Sequence, residues 1–175
     1  INTLKDDLGS KYDKFSEESD DANEPETPSA IAEEKSPIFV SVGSSGTIIT
    51  SSNGTKWTKS VSGTKAKLRA VTYGNRTFVA VGFTGTVLTS SDGKTWTKRN
   101  SGTKKHLGNI AYGNESFVAV GNNGAVITSP DGKKWTKRNS RTKTSLYGVT
   151  FGKKSFVAVG NGCLLYTSDA ADDLL

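Results

Sequence analysis

The chain has 175 residues, 33% of them hydrophobic, with 19 Gly and 4 Pro, a composition that points to many short strands and tight turns instead of helices. No apolar run approaches the ~18 residues of a membrane-spanning helix, and a single cysteine, Cys163, leaves the redox compartment open. The formal net charge of +6 hides two opposed regions: residues 1–38 sum to −7, whereas residues 39–162 sum to +16 and hold only Asp92, Glu115 and Asp131 as acids.

Ile1 is not an initiator and the sequence contains no Met, so it reads as a processed product or a fragment. Residues 1–36, with Ser16-Glu-Glu-Ser-Asp-Asp21 and Glu24-Pro-Glu-Thr-Pro28, are acidic and lack sustained periodicity. Such a segment buries too little apolar surface to offset its ordering entropy, and a mostly disordered linker or tail is expected. A short helix over Leu4 to Phe15 is the one local alternative, with Leu4, Leu8 and Tyr12 on one face.

From residue 37 a repeat takes over. Phe39, Phe78, Phe117 and Phe156 stand 39 residues apart, and Trp57, Trp96 and Trp135 keep that interval, as do Leu68, Leu107 and Leu146. One fixed period of this length signals a repeat architecture. In the second copy, strand A is expected at Leu68 to Tyr73, strand B at Thr77 to Val81, strand C at Thr86 to Ser90 and strand D at Lys94 to Arg99. Gly74-Asn75 joins A to B, Gly82-Phe-Thr-Gly85 joins B to C, and Asp92-Gly93 joins C to D. Asp-Gly, like Asn53-Gly54 and Asp131-Gly132 in the other copies, suits a two-residue type I′ hairpin.

Strands B and C are apolar at consecutive positions, as in Val79-Ala-Val81 and Val87-Leu88, so both faces of each sheet should be covered. The cover must be the neighbouring copy, and radial stacking of four-stranded sheets is a β-propeller. The strands run B-C-D, A-B-C-D, A-B-C-D, then A-B and part of C. The expected fold is therefore all-β: an incomplete propeller of about three blades over residues 37–162, with further blades missing from this chain.

The stretch Thr89-Ser-Ser-Asp-Gly-Lys-Thr-Trp96 resembles the Asp-box of bacterial-neuraminidase-type repeats. Together with Leu68-x-x-Val-x-Tyr73 and Phe78-Val-Ala-Val-Gly82, it makes the whole copy similar to repeats of the photosystem II assembly-factor propellers and their bacterial relatives, over residues 38–160. The box is one residue shorter than usual between Asp and Gly, and the first copy has Asn53 in place of Asp. The resemblance implies a structural role at the outer C-to-D hairpins for Ser51, Asn53, Gly54 and Trp57, for Ser90, Asp92, Gly93 and Trp96, and for Ser129, Asp131, Gly132 and Trp135. Beyond Asn161 the period fails, and Cys163-Leu-Leu-Tyr-Thr-Ser-Asp-Ala-Ala-Asp172 is similar to a translated sequencing adapter. Residues 163–175 thus read as a non-native tail; the other reading is a degenerate fourth copy, with Thr167-Ser168 in register with Thr128-Ser129.

Catalytic chemistry finds little support. Asp92 and Asp131 occupy turns equivalent to Asn53, Glu115 sits where other copies have Arg76 and Lys154, and no carboxylate pair remains for glycoside hydrolysis. The likeness to sialidases implies the Asp-box alone. His106 aligns with Lys67 and Ser145 and reads as an exposed loop residue; metal-ligand spacing is absent, and no cofactor is expected. In a meander the D-to-A and B-to-C links share one pole and the A-to-B and C-to-D links the other. Basic residues recur in the D-to-A links: Lys65 and Lys67, Lys104 and Lys105 beside His106, and Arg141 and Lys143. They share their pole with the variable B-to-C residues Phe83, Asn122 and Asn123, and this set is the candidate binding face. Lys59, Lys98 and Lys137 recur on strand D, where edge lysines discourage pairing with other sheets.

These features rank a non-catalytic binding module first, a bacterial surface or secreted fragment whose basic face holds an anionic polysaccharide or an acidic protein. The alternative is an assembly or scaffold factor, as the photosystem-factor resemblance implies. Nucleic-acid binding and a glycosidase fragment rank below both, the former because no aromatic ladder is available for stacking.

Overall fold

The computed structural model describes residues 38–161 and the backbone of residues 166–168. The acidic tail expected at 1–36 lies outside the described residues, as does all of the expected non-native tail except that short backbone segment.

Four antiparallel sheets follow one another along the chain. The first contains β1 (Phe39–Val42), β2 (Ile48–Ser51) and β3 (Thr58–Ser60), and the second β4 (Leu68–Gly74), β5 (Thr77–Gly82), β6 (Val87–Ser90) and β7 (Thr97–Arg99). The third repeats that pattern with β8 (Leu107–Gly113), β9 (Ser116–Gly121), β10 (Ala125–Ser129) and β11 (Thr136–Asn139). The last contains β12 (Leu146–Gly152), β13 (Ser155–Gly160) and β14 (Tyr166–Ser168). Each sheet is a meander, and the register repeats with the sequence: Phe39 pairs with Ser51, Phe78 with Ser90, Phe117 with Ser129 and Phe156 with Ser168. The backbone of β14 thus takes the strand C position of a fourth sheet.

Packing explains why every copy carries the same apolar residues. Val79, Val81 and Val87 of the second sheet meet Leu107, Phe117 and Ile127 of the third. The opposite face of the third, Val118, Val120 and Val126, meets Leu146, Phe156 and Ala158 of the fourth. Ile48 of the first packs with Leu68, Ala80 and Leu88 of the second. Central strands are therefore buried on both faces, as their unbroken apolar runs require. Aromatic rings key successive sheets together: a Cβ on Gly74 would stand 2.1 Å from the Tyr112 ring, and one on Gly113 2.1 Å from the Phe151 ring. At the ends the cover stops. Phe39 is 52% exposed and Val159 48%, although their counterparts Phe117 and Val120 are fully buried.

Two expectations need correction. The two-residue turn with positive φ at both positions lies between strands A and B, at Asn75-Arg76 (φ 43 and 53), Asn114-Glu115 (42 and 55) and Lys153-Lys154 (49 and 66). The Asp-Gly and Asn-Gly sites are instead wider loops in which only the glycine has positive φ, and strand D starts later, at Thr97 in the second copy. The reason is a side-chain hydrogen-bond set that reshapes the loop. Asp92 Oδ1 accepts from the Lys94 and Thr95 amides at 2.8 Å each and from Ser90 Oγ at 2.8 Å, while Trp96 Nε1 donates to the Gly93 carbonyl at 2.9 Å.

Candidate binding face

The D-to-A and B-to-C links meet at one pole, as a meander dictates. Each B-to-C link is one 3-10 turn whose middle residue has positive φ: Ser45 at 54°, Thr84 at 53° and Asn123 at 52°. Each D-to-A link is bent by its own hydroxyls. Ser101 Oγ accepts from the Thr103 amide at 3.3 Å and Thr103 Oγ1 from the Lys105 amide at 3.1 Å; Ser62 with Thr64 and Ser140 with Thr142 repeat the device. Backbone bonds then stitch link to turn: Phe83 N–H donates to the Lys67 carbonyl and Asn122 N–H to the His106 carbonyl, both at 2.9 Å. The cationic side chains consequently leave from fixed backbone positions.

The structure brings part of the sequence-derived set together. Lys104, Lys105, His106, Asn122 and Asn123 surround an open depression of 530 Å³, joined by Gly102, Thr103 and Lys137. Phe83 stacks on His106 with ring centroids 4.2 Å apart and planes 14° from parallel, and the Lys67 ammonium lies 5.7 Å from the Phe83 centroid. Lys65, Arg141 and Lys143 are exposed on the same pole but do not line the depression. Arg141 has a left-handed φ of 55°, at the position that Gly63 and Gly102 fill in the other copies.

Two readings change. His106 is half-buried and structurally engaged, because its Nδ1 accepts the Thr84 amide at 2.9 Å. Lys137, expected only as an edge-protecting lysine, lines the depression. The exposed pattern Lys-x-Asn-x-Arg at 137–141 gives no hint of that reach; only the packing of its stem on Gly102 reveals it.

Basic residues stand at both poles, with Lys56, Lys94, Lys133 and Lys134 in the C-to-D loops and Arg76, Lys153 and Lys154 in the A-to-B turns, but the acids are confined to one. The acids among the described residues, Asp92, Glu115 and Asp131, all lie in C-to-D or A-to-B turns, so none shares a pole with the D-to-A lysines. The Thr95 amide holds the Asp92 carboxyl far below the usual carboxylate range against a desolvation cost, helped by the Lys94 amide and the Ser90 hydroxyl. For Asp131 partial burial pushes upward, but the Lys134 and Lys133 amides and the Ser129 hydroxyl outweigh it and the net shift is downward. Both carboxylates are consumed by their own loops. Asn53 makes the same contacts without charge, accepting from the Thr55 and Lys56 amides at 3.0 Å. Among the described residues no three His, Cys, Asp or Glu side chains gather as metal ligands would, and no helix is long and apolar enough to cross a membrane.

No curated protein sequence matches the chain. Among solved structures it is similar to YCF48 bound to D1 peptide, with TM-score 0.60 and 20% identity over 75% of this chain and 46% of that one. It is also similar to YCF48 from Cyanidioschyzon merolae, with TM-score 0.50 and 21% identity over 58% of this chain and 34% of that one. At such identities the likeness concerns fold alone, and the chain spans less than half the length of either structure. Repeating four-stranded meanders stacked face to face are the architecture of a partial β-propeller. In agreement with it, the DUF6242 beta propeller domain model matches residues 60–174, about two thirds of the sequence, and the chain belongs to that family.

Proposed function

We propose that this chain is part of a non-catalytic propeller that holds an acidic segment of another protein across its D-to-A and B-to-C pole, in an assembly or scaffold role. The observation that carries the reading is the one-sided placement of the acids: Lys65, Lys67, Lys104, Lys105, Arg141 and Lys143 emerge on a pole without a carboxylate among the described residues, whereas the cations of the opposite pole share it with Asp92, Glu115 and Asp131. Such a field concentrates and orients an anionic partner. The bound D1 peptide in one similarly folded structure supports a protein partner over a polysaccharide, for which only charge speaks. Residues 37–162 are the working unit in this reading, with β14 completing the strand C position of the fourth sheet, and the Ser, Asp or Asn, Gly and Trp loops are Asp-box devices that brace the scaffold.

The test is binding of a glutamate-rich peptide to the full chain by fluorescence anisotropy. Changing Lys65, Lys104 and Lys143 together to Glu should weaken it by about tenfold or more at low ionic strength, with screening by salt acting in the same direction. Unchanged affinity in that triple variant counts against the proposal, and so does a wild-type chain that prefers an anionic polysaccharide of equal charge.

A further inference from the structure

We propose that the junction between the second and third sheets is a carboxylate-binding subsite for an acidic side chain of a protein segment, built by Lys104, Lys137 and His106; it rests on the reading above. The junctions are not equivalent. Where this one sets His106 against Phe83, the preceding one has Lys67 with Ser44, and the following one has Ser145 with Asn122. Only here does an imidazole stack on a phenyl ring, with centroids 4.2 Å apart.

That stack fixes a donor. His106 Nδ1 accepts the Thr84 N–H at 2.9 Å, so the proton of the neutral ring sits on Nε2, which has no partner among the described residues. Lys105 serves as a wall: its ammonium is tied to the Asn123 carbonyl at 2.7 Å and bridges the D-to-A link to the B-to-C turn. Lys137 is led in from strand β11, its stem lying over Gly102, where a Cβ would stand 3.3 Å from Cε. The equivalent Gly63 has nothing within 4 Å, so no lysine is folded over the preceding link in this way. Neither Lys104 nor Lys137 makes a hydrogen bond or ion pair among the described residues.

Two unpaired ammonium groups and one N–H donor therefore border the same depression, with no acid on their pole among the described residues. An entering carboxylate would accept charge-assisted hydrogen bonds from both ammonium groups and from the imidazole N–H. A nucleotide fits less well. Phe83 stacks one face on His106, has the Lys67 ammonium 5.7 Å from its centroid and does not line the depression, where His106 is the one aromatic side chain among the described residues.

The experiment titrates the full chain with a fluorescein-labelled hexaglutamate peptide at low ionic strength and follows anisotropy together with the ring resonances of His106, the only histidine in the sequence. The subsite predicts that those resonances shift and saturate with the anisotropy. It also predicts that Lys104→Gln with Lys137→Gln weakens binding about tenfold, while the charge-matched pair Lys94→Gln with Lys133→Gln, at the opposite pole, changes it less than about twofold. Binding with still His106 resonances overturns the subsite and leaves the wider basic face standing, whereas equal losses in the two pairs overturn the subsite and the choice of pole together. An oligonucleotide of equal charge that binds more tightly than the peptide overturns it in favour of phosphate. A wild-type chain that does not bind the peptide overturns the subsite and the proposed function together.

Discussion

Phe39 and Phe117 are the same residue at the same place in the repeat, and a pair of alanine substitutions converts that identity into a measurement. Phe117 is fully buried, tilted against Tyr112 at 4.6 Å and against Trp135 at 6.4 Å, with the second sheet covering it. Truncating it removes the whole transfer term and leaves a cavity, which costs about 3–5 kcal/mol. Phe39 is 52% exposed, so roughly half of the ~1.5–3 kcal/mol for a fully buried side chain is at stake and no closed cavity forms. Phe117→Ala should therefore lose about 3 kcal/mol more than Phe39→Ala, which for a chain of this length lowers the melting midpoint by about 10 °C more. Thermal and urea unfolding followed by far-UV circular dichroism and by tryptophan fluorescence would read it, since coincidence of the probes tests whether the array melts as one unit. Equal losses at the two positions would refute the idea that neighbouring sheets supply the stability of each copy.

Two further outcomes follow from the loops. The folded-state pKa values of Asp92 and Asp131 are depressed, so their stabilisation is fully present above the unfolded carboxyl value of ~3.9 and declines as pH falls below it. Asp92→Asn with Asp131→Asn should cost about 1 kcal/mol per site at pH 7, where solvent screening limits the charged bonds, and should flatten the loss of urea resistance between about pH 4 and pH 2, below the unfolded carboxyl value. A steeper acid limb in the double variant contradicts the assignment. In the B-to-C turn, a Cβ at Gly85 would stand 1.9 Å from the Thr103 carbonyl oxygen with φ at +67°, whereas Gly54 has φ +75° and open space. Gly85→Ala should therefore destabilise well beyond the ~1–2 kcal/mol of left-handed strain expected for Gly54→Ala; equal midpoints in the urea series would show that the close approach is relieved.

The spacing of Phe, Trp and Leu made the sheets legible, because a copy that cannot bury itself must repeat the residues that bury its neighbour. Turn geometry was less legible. Asp92-Gly93 and Asn53-Gly54 carry the dipeptides that favour a tight hairpin, yet a serine two residues before the acid and a tryptophan three residues after the glycine capture the loop's polar groups and open it. Asn75-Arg76 and Lys153-Lys154 hold the tight positive-φ turn without any glycine at those positions. The lysine face was visible as a recurrence in the D-to-A links. Its focal point was not, since the Phe83 to His106 stack spans copies and has no periodic counterpart, and Lys137 reaches it by a packing contact with Gly102 that sequence spacing does not encode.

Hydrogen exchange of the full chain with and without a bound acidic peptide addresses the central claim most directly. The amides of residues 62–67, 83–85, 101–106, 122–124 and 140–145 should slow on binding, with the largest change at 101–106, while the loops at 91–96 and 130–135 exchange as before. Protection concentrated in those opposite loops, or along β7 and β11, would place the partner elsewhere and contradict the account.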